Sequence, residues 1–339
     1  MRPLLIIILL AVIWYSPGNA DSLLRPSESQ MALISKAIDY VLADSFNEAY
    51  AVIYSLNDTL PNRPLEKLLY ASILFSQMTD GEDYSREKEY LKNIDISIES
   101  FKRLSEKYPT DSWGQFLIGS AQGYKSIYYG QTGGWLKSLL SGLKAKSRYS
   151  DAIKLDSTLY DSYTGLGSYH YWSSVRLKKY LPFLSDNRKK GLAELRLAAD
   201  SSEFSSGVAA IGLAWSLVNE GKLSEALRIA RELYKTTGSG RASLWLLSGI
   251  YWRMGDYNKT IRYYDELYSS FIRTGNQNNY NLIYCRFRKG TSLYSLRRYP
   301  EARTEFEAIL SYELSPEIRK RLTNMLAKSK EFLKKMEGK

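Results

Sequence analysis

Two short apolar patterns recur along the chain, and the distance between their copies constrains the fold more than any other feature. In the first pattern a leucine directly precedes a small residue, and 34 residues separate the copies at Leu213 and Leu247. In the second, a small residue is followed by apolar residues four and seven positions later, and 34 residues also separate its copies at Ala226 and Thr260. Equal periods predict one repeated structural unit rather than a single large core.

The repeated unit has the sequence character of two helices. Apolar residues recur three and four positions apart, sustained alternation is absent, and short polar breaks separate segments of about 12 to 22 residues. Further copies of the second pattern begin at Phe46 and Tyr299, and further copies of the first surround Leu166 and Gly290. The chain is therefore predicted to be a string of antiparallel helix pairs.

Small residues at matching positions explain how the two helices of a pair can pack. Gly167, Ala214, Ser248 and Gly290 mark the first helices. The second helices carry small residues at Ala49, Ala226, Thr260 and Ala302. Because one pair cannot bury its apolar side alone, the larger residues between these positions are expected to interlock with the next pair.

These patterns resemble the tetratricopeptide-repeat (TPR) family over most of residues 29–312, most regularly over 205–312. The resemblance implies an all-α, right-handed superhelical solenoid of about six to seven helix pairs. It also implies a role in binding peptides or partner helices along a concave surface. The copy around Gly290 departs from the family pattern, because Arg286 and Lys289 stand where apolar residues are usual.

The spacing also predicts the division of the chain. We expect a signal peptide at 1–20, a short linker at 21–28 and the repeat array at 29–312. Longer steps between repeats predict insertions near 175–190 and 269–281. Residues 313–339 are predicted to form a capping helix and tail, since Pro316 begins an apolar row that Lys and Arg otherwise surround.

The first twenty residues have the three parts of a secretory signal. Arg2 is followed by an apolar run from Leu4 to Tyr15, and small residues end at Ala20. The run is shorter than the roughly 20 residues that span a bilayer as a helix. We therefore expect export, with the periplasm as the compartment and secretion or a retained anchor as alternatives. No transmembrane segment is expected after the signal is removed, although peripheral envelope association remains open.

The chain is basic, with a formal net charge of +11, but its positive residues are scattered rather than gathered in one run. A basic surface can attract nucleic acid, anionic lipid or acidic protein. Because export argues against nucleic acid, an acidic protein, a lipid headgroup or a cell-wall polymer is the more consistent partner.

Residues that could carry catalysis or hold a metal are few. His170 is the only histidine and Cys285 the only cysteine, and His170 occupies a position where the repeat places a large interlocking side chain. Structural zinc usually takes four nitrogen or sulfur ligands, and the sequence has neither a G-x-S-x-G motif nor a phosphate-binding glycine loop. We therefore expect no enzyme activity, no catalytic or metal site, and no cofactor.

Aromatic and basic residues between 124 and 190 are the candidates for partner binding. Tyr, Trp and Arg dominate interface hot spots, and several of these residues lie off the inward side of the predicted helices. The candidates are Tyr160, Tyr171, Trp172, Tyr128, Trp135, Lys178, Lys179 and Arg188.

These features leave three functions to compare. The leading hypothesis is a non-enzymatic scaffold of the cell envelope that binds a partner peptide or helix in the concave groove. The alternative is a glycan, lipid-headgroup or cell-wall binding module that uses the aromatic and basic groove near 124–190. A hydrolase centred on His170 is disfavoured because no motif supports it.

Overall fold

The computed structural model describes residues 22–60, 63–177, 185–238, 240–275 and 278–337, and the predicted signal lies outside them. Helices make up most of this part of the chain. They are α1 (Glu28–Leu42), α2 (Phe46–Tyr54), α3 (Pro64–Gly81), α4 (Glu87–Lys107), α5 (Ser112–Gln131), α6 (Trp135–Leu155), α7 (Asp161–Leu177), α8 (Arg188–Ser201), α9 (Ser206–Asn219), α10 (Leu223–Thr236), α11 (Arg241–Met254), α12 (Tyr257–Thr274), α13 (Tyr280–Ser295), α14 (Tyr299–Leu310) and α15 (Pro316–Lys335).

The helices form a TPR-like array of antiparallel pairs, as the sequence predicts. Each helix packs against the helices before and after it, and odd-numbered helices also contact the next odd-numbered helix from α1 to α11 and between α13 and α15. Helices on the inner side of a curved array stand closer together than those on the outer side. The odd-numbered helices therefore form the concave side and the even-numbered helices the outer side.

The small residues lie at the helix crossings, as predicted. Ala214 and Ser248 on the first helices, and Ala226 and Thr260 on the second, are fully buried. The crossing of α7 and α8 is the closest of this kind, because a Cβ on Gly167 would lie 2.9 Å from the carbonyl oxygen of Gly191. Glycine is needed there for close approach of two backbones.

The irregular repeat around Gly290 keeps the register of the others. A Cβ on Gly290 would lie 3.0 Å from the ring of Phe306 in α14, so the small residue again faces its partner helix. Arg286 and Lys289 remain charged in this setting because both reach Glu305, at 2.7 Å and 3.1 Å. A buried ionic cluster thus replaces the apolar contacts of the regular repeats.

The two predicted insertions fall in different surroundings. In the first insertion, near 175–190, α7 continues to Leu177 and α8 begins at Arg188, while 178–184 lie outside the described residues. Near the second, α12 runs for 18 residues to Thr274, whereas α10 has 14. At the C-terminus, α15 is a single helix capped by Ser315, and Ile318 and Leu322 are buried against α13 and α14.

Helix α1 and the segment before it lie across the N-terminal ends of α5, α9 and α11. The Ser22 hydroxyl donates to Asp111, the N-cap of α5, at 2.8 Å, and Leu24 is buried beside the same residue. At the other end of α1, the carbonyl of Leu42 is in direct contact with Gly240, just before α11. The N-terminal pair therefore contacts the edge of the array formed by the N-terminal ends of later inner helices.

A buried ion pair joins the first two helix pairs to α11. The Arg241 guanidinium donates to both carboxylate oxygens of Asp80, at 2.7 Å and 2.6 Å, and lies 4.9 Å from the ring centroid of Phe271. Asp44 accepts a 2.7 Å hydrogen bond from the backbone N–H of Arg241 and lies 3.6 Å from its Nε atom. Only 4% of the Arg241 side chain is exposed, so the contact is almost completely shielded from water.

Further polar contacts extend this junction along the edge of α3. Asn281 donates to the carbonyl of Asp80 at 2.7 Å, and Asn278 donates to the carbonyl of Gly81 at 2.9 Å. Arg321 of α15 pairs with Glu82. We call the set Asp44, Asp80, Glu82, Arg241, Asn278, Asn281 and Arg321 the closure seam.

Burial sets the charge of the seam carboxylates. Desolvation raises the pKa of Asp44 to about 6, although Arg241 opposes the rise. The pKa of Asp80 is also raised by burial, against the hydrogen bonds from the same guanidinium. The single Arg241 charge therefore only partly compensates two carboxylates held away from water.

Candidate partner-binding surfaces

The one histidine pairs with a carboxylate inside the α7–α8 hairpin. His170 Nδ1 lies 2.6 Å from Glu194 Oε2, and both residues are buried. The Ser174 hydroxyl donates to the backbone carbonyl of His170 and accepts from the N–H of Asn187. A general base needs access to its substrate, so the geometry of this pair suits holding α8 against α7.

Cys285 is buried, and the described carboxylates form no cluster that could hold a metal ion. Cys285 is 1% exposed, and burial raises the pKa of its thiol well above the usual range, which keeps it protonated. Within the described ranges, no three His, Cys, Asp or Glu side chains are grouped so that they could hold a metal ion. The helices of the same ranges also include none that is both long and apolar enough to cross a bilayer.

Two of the sequence-derived candidates are buried, so their side chains offer no surface to a partner. Tyr171 is fully buried, with its hydroxyl 2.9 Å from the Ser216 carbonyl oxygen and accepting from Asn219 at 2.8 Å. Tyr128 is 3% exposed, and its hydroxyl donates to Glu87. The sequence pattern places Tyr171 off the inward side, but α8 and α9 enclose it because the α7–α8 crossing is so close.

The other described candidates lie on α6, on α7 and just before it, and on α8. Tyr160 and Trp172 are half-buried, and Trp172 packs edge-on against the Tyr171 ring. Arg188 is already paired with Asp186 at 2.7 Å and with Glu220 at 3.0 Å. Trp135 is 73% exposed at the start of the outer helix α6. Lys178 and Lys179 lie outside the described residues.

Tryptophans on the inner helices form a different surface, which the sequence pattern did not single out. Trp215 of α9 extends over Gly249 of α11, where a Cβ would lie 3.7 Å from its ring. Trp252 of α11 is covered by the guanidinium of Arg288 of α13, 4.6 Å from the ring centroid. The two tryptophans remain 37% and 39% exposed. We call Trp215, Trp252 and Arg288 the concave band, because each reaches between odd-numbered helices.

The cation of the concave band is not neutralised by a carboxylate. The Arg288 guanidinium donates to the Tyr284 hydroxyl, at 3.1 Å and 2.9 Å, and lies over the Tyr284 and Trp252 rings. Among the described residues no carboxylate pairs with it, whereas Arg286 and Lys289 on the same helix both reach Glu305. An aromatic platform with an unneutralised arginine can take an apolar side chain and an anion together.

A clue to the concave band is present in the sequence. Trp215 directly follows Ala214, the small residue that faces the partner helix. Successive residues on a helix point about 100° apart, so the residue after each small position turns from the pair interface toward the neighbouring repeat. A comparison of the residues that directly follow the small positions in the repeats would have identified Trp215.

The outer side has two open clefts between α4 and α6. One, of about 390 Å³, is lined among others by Lys102, Lys125 and Lys144, together with Asp95 and Glu99. The other, of about 330 Å³, is lined by Lys102, Glu106, Gln115 and Arg148 among others. Both mix charges of the two signs, and Lys125 is already paired with Asp95 at 2.5 Å.

No protein-family model and no curated protein sequence matches the chain. Among solved structures it is similar to TTC0263, a thermophilic TPR protein in Thermus thermophilus, at 15% identity and a TM-score of 0.41 over 65% of this chain and 98% of that chain. It is also similar to PilW, a widely conserved type IV pilus biogenesis factor, at 13% identity and a TM-score of 0.45 over 75% of this chain and 98% of that chain. A tetratricopeptide repeat protein from Parabacteroides merdae ATCC 43184 is similar at 14% identity and a TM-score of 0.39, over 91% of this chain and 99% of that chain.

Proposed function

We propose that the protein is a non-enzymatic scaffold of the cell envelope that binds a partner peptide or helix on the concave side of the array. The observation that carries this proposal is the concave band, where two half-exposed tryptophans project from neighbouring inner helices and Arg288, which pairs with no described carboxylate, lies over one of them. Large aromatic and arginine side chains of this kind supply most of the binding energy at protein interfaces.

The composition of the band defines the partner segment. Trp215 and Trp252 offer flat apolar area on neighbouring helices, which suits a leucine or aromatic side chain of the partner. The Arg288 guanidinium is held in place by the Tyr284 hydroxyl, which suits a carboxylate next to that apolar anchor. We therefore propose a segment with an acidic residue beside a large apolar one.

The other parts of the proposal have separate support. The envelope location follows from the signal-like first twenty residues, and the periplasm is the compartment most consistent with them. The non-enzymatic assignment is supported by the burial of His170 and of Cys285, the two side chains best suited to proton transfer or nucleophilic attack.

Photo-cross-linking tests this proposal. A benzophenone amino acid replaces Trp252 in the full chain, and a second chain carries it at Trp135 on the outer side as the matched control. We expect irradiation in the native compartment to attach a defined protein at position 252 and not at position 135. Mass spectrometry then identifies the attached segment, which should carry an acidic residue beside an apolar one.

A binding measurement completes the test. The identified segment should bind the protein carrying Arg288→Glu at least about tenfold more weakly than the unchanged protein, since a charge-assisted contact becomes repulsive. Circular dichroism checks that the helices are retained. The proposal is overturned if position 252 attaches no protein, if Arg288→Glu leaves the affinity unchanged, or if a purified glycan occupies the band.

A further inference from the structure

The first half of α6 is apolar on the side that faces solvent. Leu136, Leu140 and Leu143 are 52%, 51% and 45% exposed, and their spacing of four and three residues places them in one row. Ala145, on the opposite side of the helix, is buried against the rest of the hairpin. We call the three leucines the outer leucine stripe. A helix that is apolar on both sides is normally covered on both sides.

The sequence segment that contains the stripe carries charge of one sign. Residues 112–150, which form α5 and most of α6, contain five Lys or Arg residues and no Asp or Glu. At 100° per residue, Lys137 and Lys144 flank one side of the stripe, while Trp135 and Lys146 flank the other. Lys137 lies over the Tyr129 ring and Lys146 over the Tyr169 ring. No carboxylate among the described residues pairs with any of these three lysines.

The position of the stripe indicates whether a partner helix or a deformable surface binds it. Helix α6 is on the outer side of the array and packs against α5 and α7. The stripe is therefore a convex ridge, whereas a partner helix binds most strongly in a groove with apolar walls. The two clefts between α4 and α6 are lined mainly by charged and polar residues, with a single isoleucine in each. A ridge of leucines between rows of lysines fits a surface that can deform around it.

We propose that the outer leucine stripe docks on a bilayer surface that contains anionic lipid. The leucines and Trp135 would enter the boundary between headgroups and acyl chains, and the flanking lysines would reach the lipid phosphates. Tryptophan is enriched at this depth of a membrane, and Trp135 is exposed at the start of the helix. The inference is independent of the concave band, which lies on the other side of the array.

An environment-sensitive label in the full chain tests the docking directly. Leu140→Cys carries a nitrobenzoxadiazole label, and Ile272→Cys on the outer helix α12 is the matched control, since Ile272 is 55% exposed. The natural Cys285 is buried and does not compete for the label in the folded protein. Vesicles of phosphatidylcholine with phosphatidylglycerol should shift the emission at position 140 to the blue and leave position 272 unchanged. Attachment through residues 1–20 would not distinguish the two positions.

A charge-reversal variant tests the electrostatic part. With the label at position 140, Lys137→Glu together with Lys144→Glu should weaken the apparent affinity for these vesicles at least about tenfold. Added salt should weaken the vesicle affinity of the labelled protein that keeps both lysines. Both lysines are exposed, so the variant should retain its helical circular dichroism.

Four outcomes overturn the proposal. The first is no blue shift at position 140, and the second is an equal shift at position 272. The third is an equal response to vesicles of phosphatidylcholine alone, which would remove the role of the lysines. The fourth is a doubling of the solution mass that Leu140→Glu abolishes, which would make a second copy of the chain the occupant.

Discussion

The closure seam and the outer leucine stripe invert the usual placement of polar and apolar groups. At the seam, a guanidinium and two carboxylates are buried between helices that are far apart in sequence. On α6, three leucines face solvent beside lysines that form no ion pair with a described carboxylate. The buried charges of the seam find their partners within the chain, whereas the exposed leucines of the stripe can be covered only by another molecule.

This contrast separates what holds the shape from what is offered to a partner. A solenoid whose repeats touch only their neighbours can bend, because no contact fixes its ends. Here Arg241 ties α11 to residues of the first two helix pairs, so the closure seam restrains the curvature. The stripe lies on a repeat that the seam does not touch, so its removal should leave the curvature unchanged.

The largest effect is expected from Arg241→Met. This change keeps the apolar stem against Phe271 but leaves Asp44 and Asp80 buried without their cation, which should lower the free energy of unfolding by about 3–5 kcal/mol. Small-angle scattering should show a larger radius of gyration, because the N-terminal pairs lose their hold on α11. Urea unfolding measures the change, and Arg298→Ala, which breaks an exposed pair with Glu301, serves as the control. A loss no larger than that of the control would contradict a closed array.

A pH effect specific to the seam should follow next in size. Because burial raises the pKa of Asp44 to about 6, the folded protein binds a proton more tightly there than the unfolded chain. The contribution of Asp44 to the unfolding free energy is therefore largest below about pH 4 and falls as the pH rises through about 6. Asp44→Asn should remove this fall, which amounts to about 3 kcal/mol.

Asp256 provides a control of opposite sign. The side-chain hydrogen bond from Lys259 lowers the pKa of Asp256, so its contribution is present at neutral pH and lost as the pH falls through the lowered value. Urea unfolding over this pH range compares the two variants, Asp44→Asn and Asp256→Asn. Parallel curves for the unchanged protein and Asp44→Asn would refute the assignment to the seam.

A smaller effect is expected from Asn281→Ala. Asn281 is 4% exposed, and its side-chain amide donates to the carbonyl of Asp80, which is left without this donor in the variant. The loss should be about 1–2 kcal/mol. Amide hydrogen exchange should speed up at the end of α3 and the start of α13 but not in α6. Uniform acceleration over all helices would show that the seam is not a local unit.

The smallest effect is expected from Leu140→Glu. Since half of this side chain is already in water, the substitution removes little packing and should change the unfolding free energy by no more than about 0.5 kcal/mol. Leu213→Glu, at a buried position of α9, is the matched control and should be strongly destabilising. A comparable loss for Leu140→Glu would mean that the stripe is covered within the chain.

The repeats could be predicted from the sequence because their packing is local and periodic. The 34-residue spacing located Ala226 and Thr260, and both are fully buried at helix crossings. The capping helix from Pro316 was predicted for the same reason, since its apolar row is continuous in sequence. The signal-like segment and the division of the chain into named parts remain predictions.

The binding surfaces could not be predicted so well, because they depend on how helices rotate when they pack. Tyr171 was expected to face outward, but the contact between Gly167 and Gly191 brings α8 close enough to enclose it. The seam was also missed, since Arg241 and Asp80 are 161 residues apart and belong to no repeated pattern. A pair that occurs once in the chain leaves no periodic signal.

The docking of α1 has a consequence for the order in which the protein can mature. The first helix to be synthesised finds its partner at Arg241 only after 197 further residues have followed Asp44. At about 5–20 residues per second, ribosomes take roughly ten seconds or more to supply them. During that interval α3 can already cover the apolar residues of the first hairpin, but Asp44 has no final partner. Closure of the array is therefore a late step that follows the formation of the individual repeats.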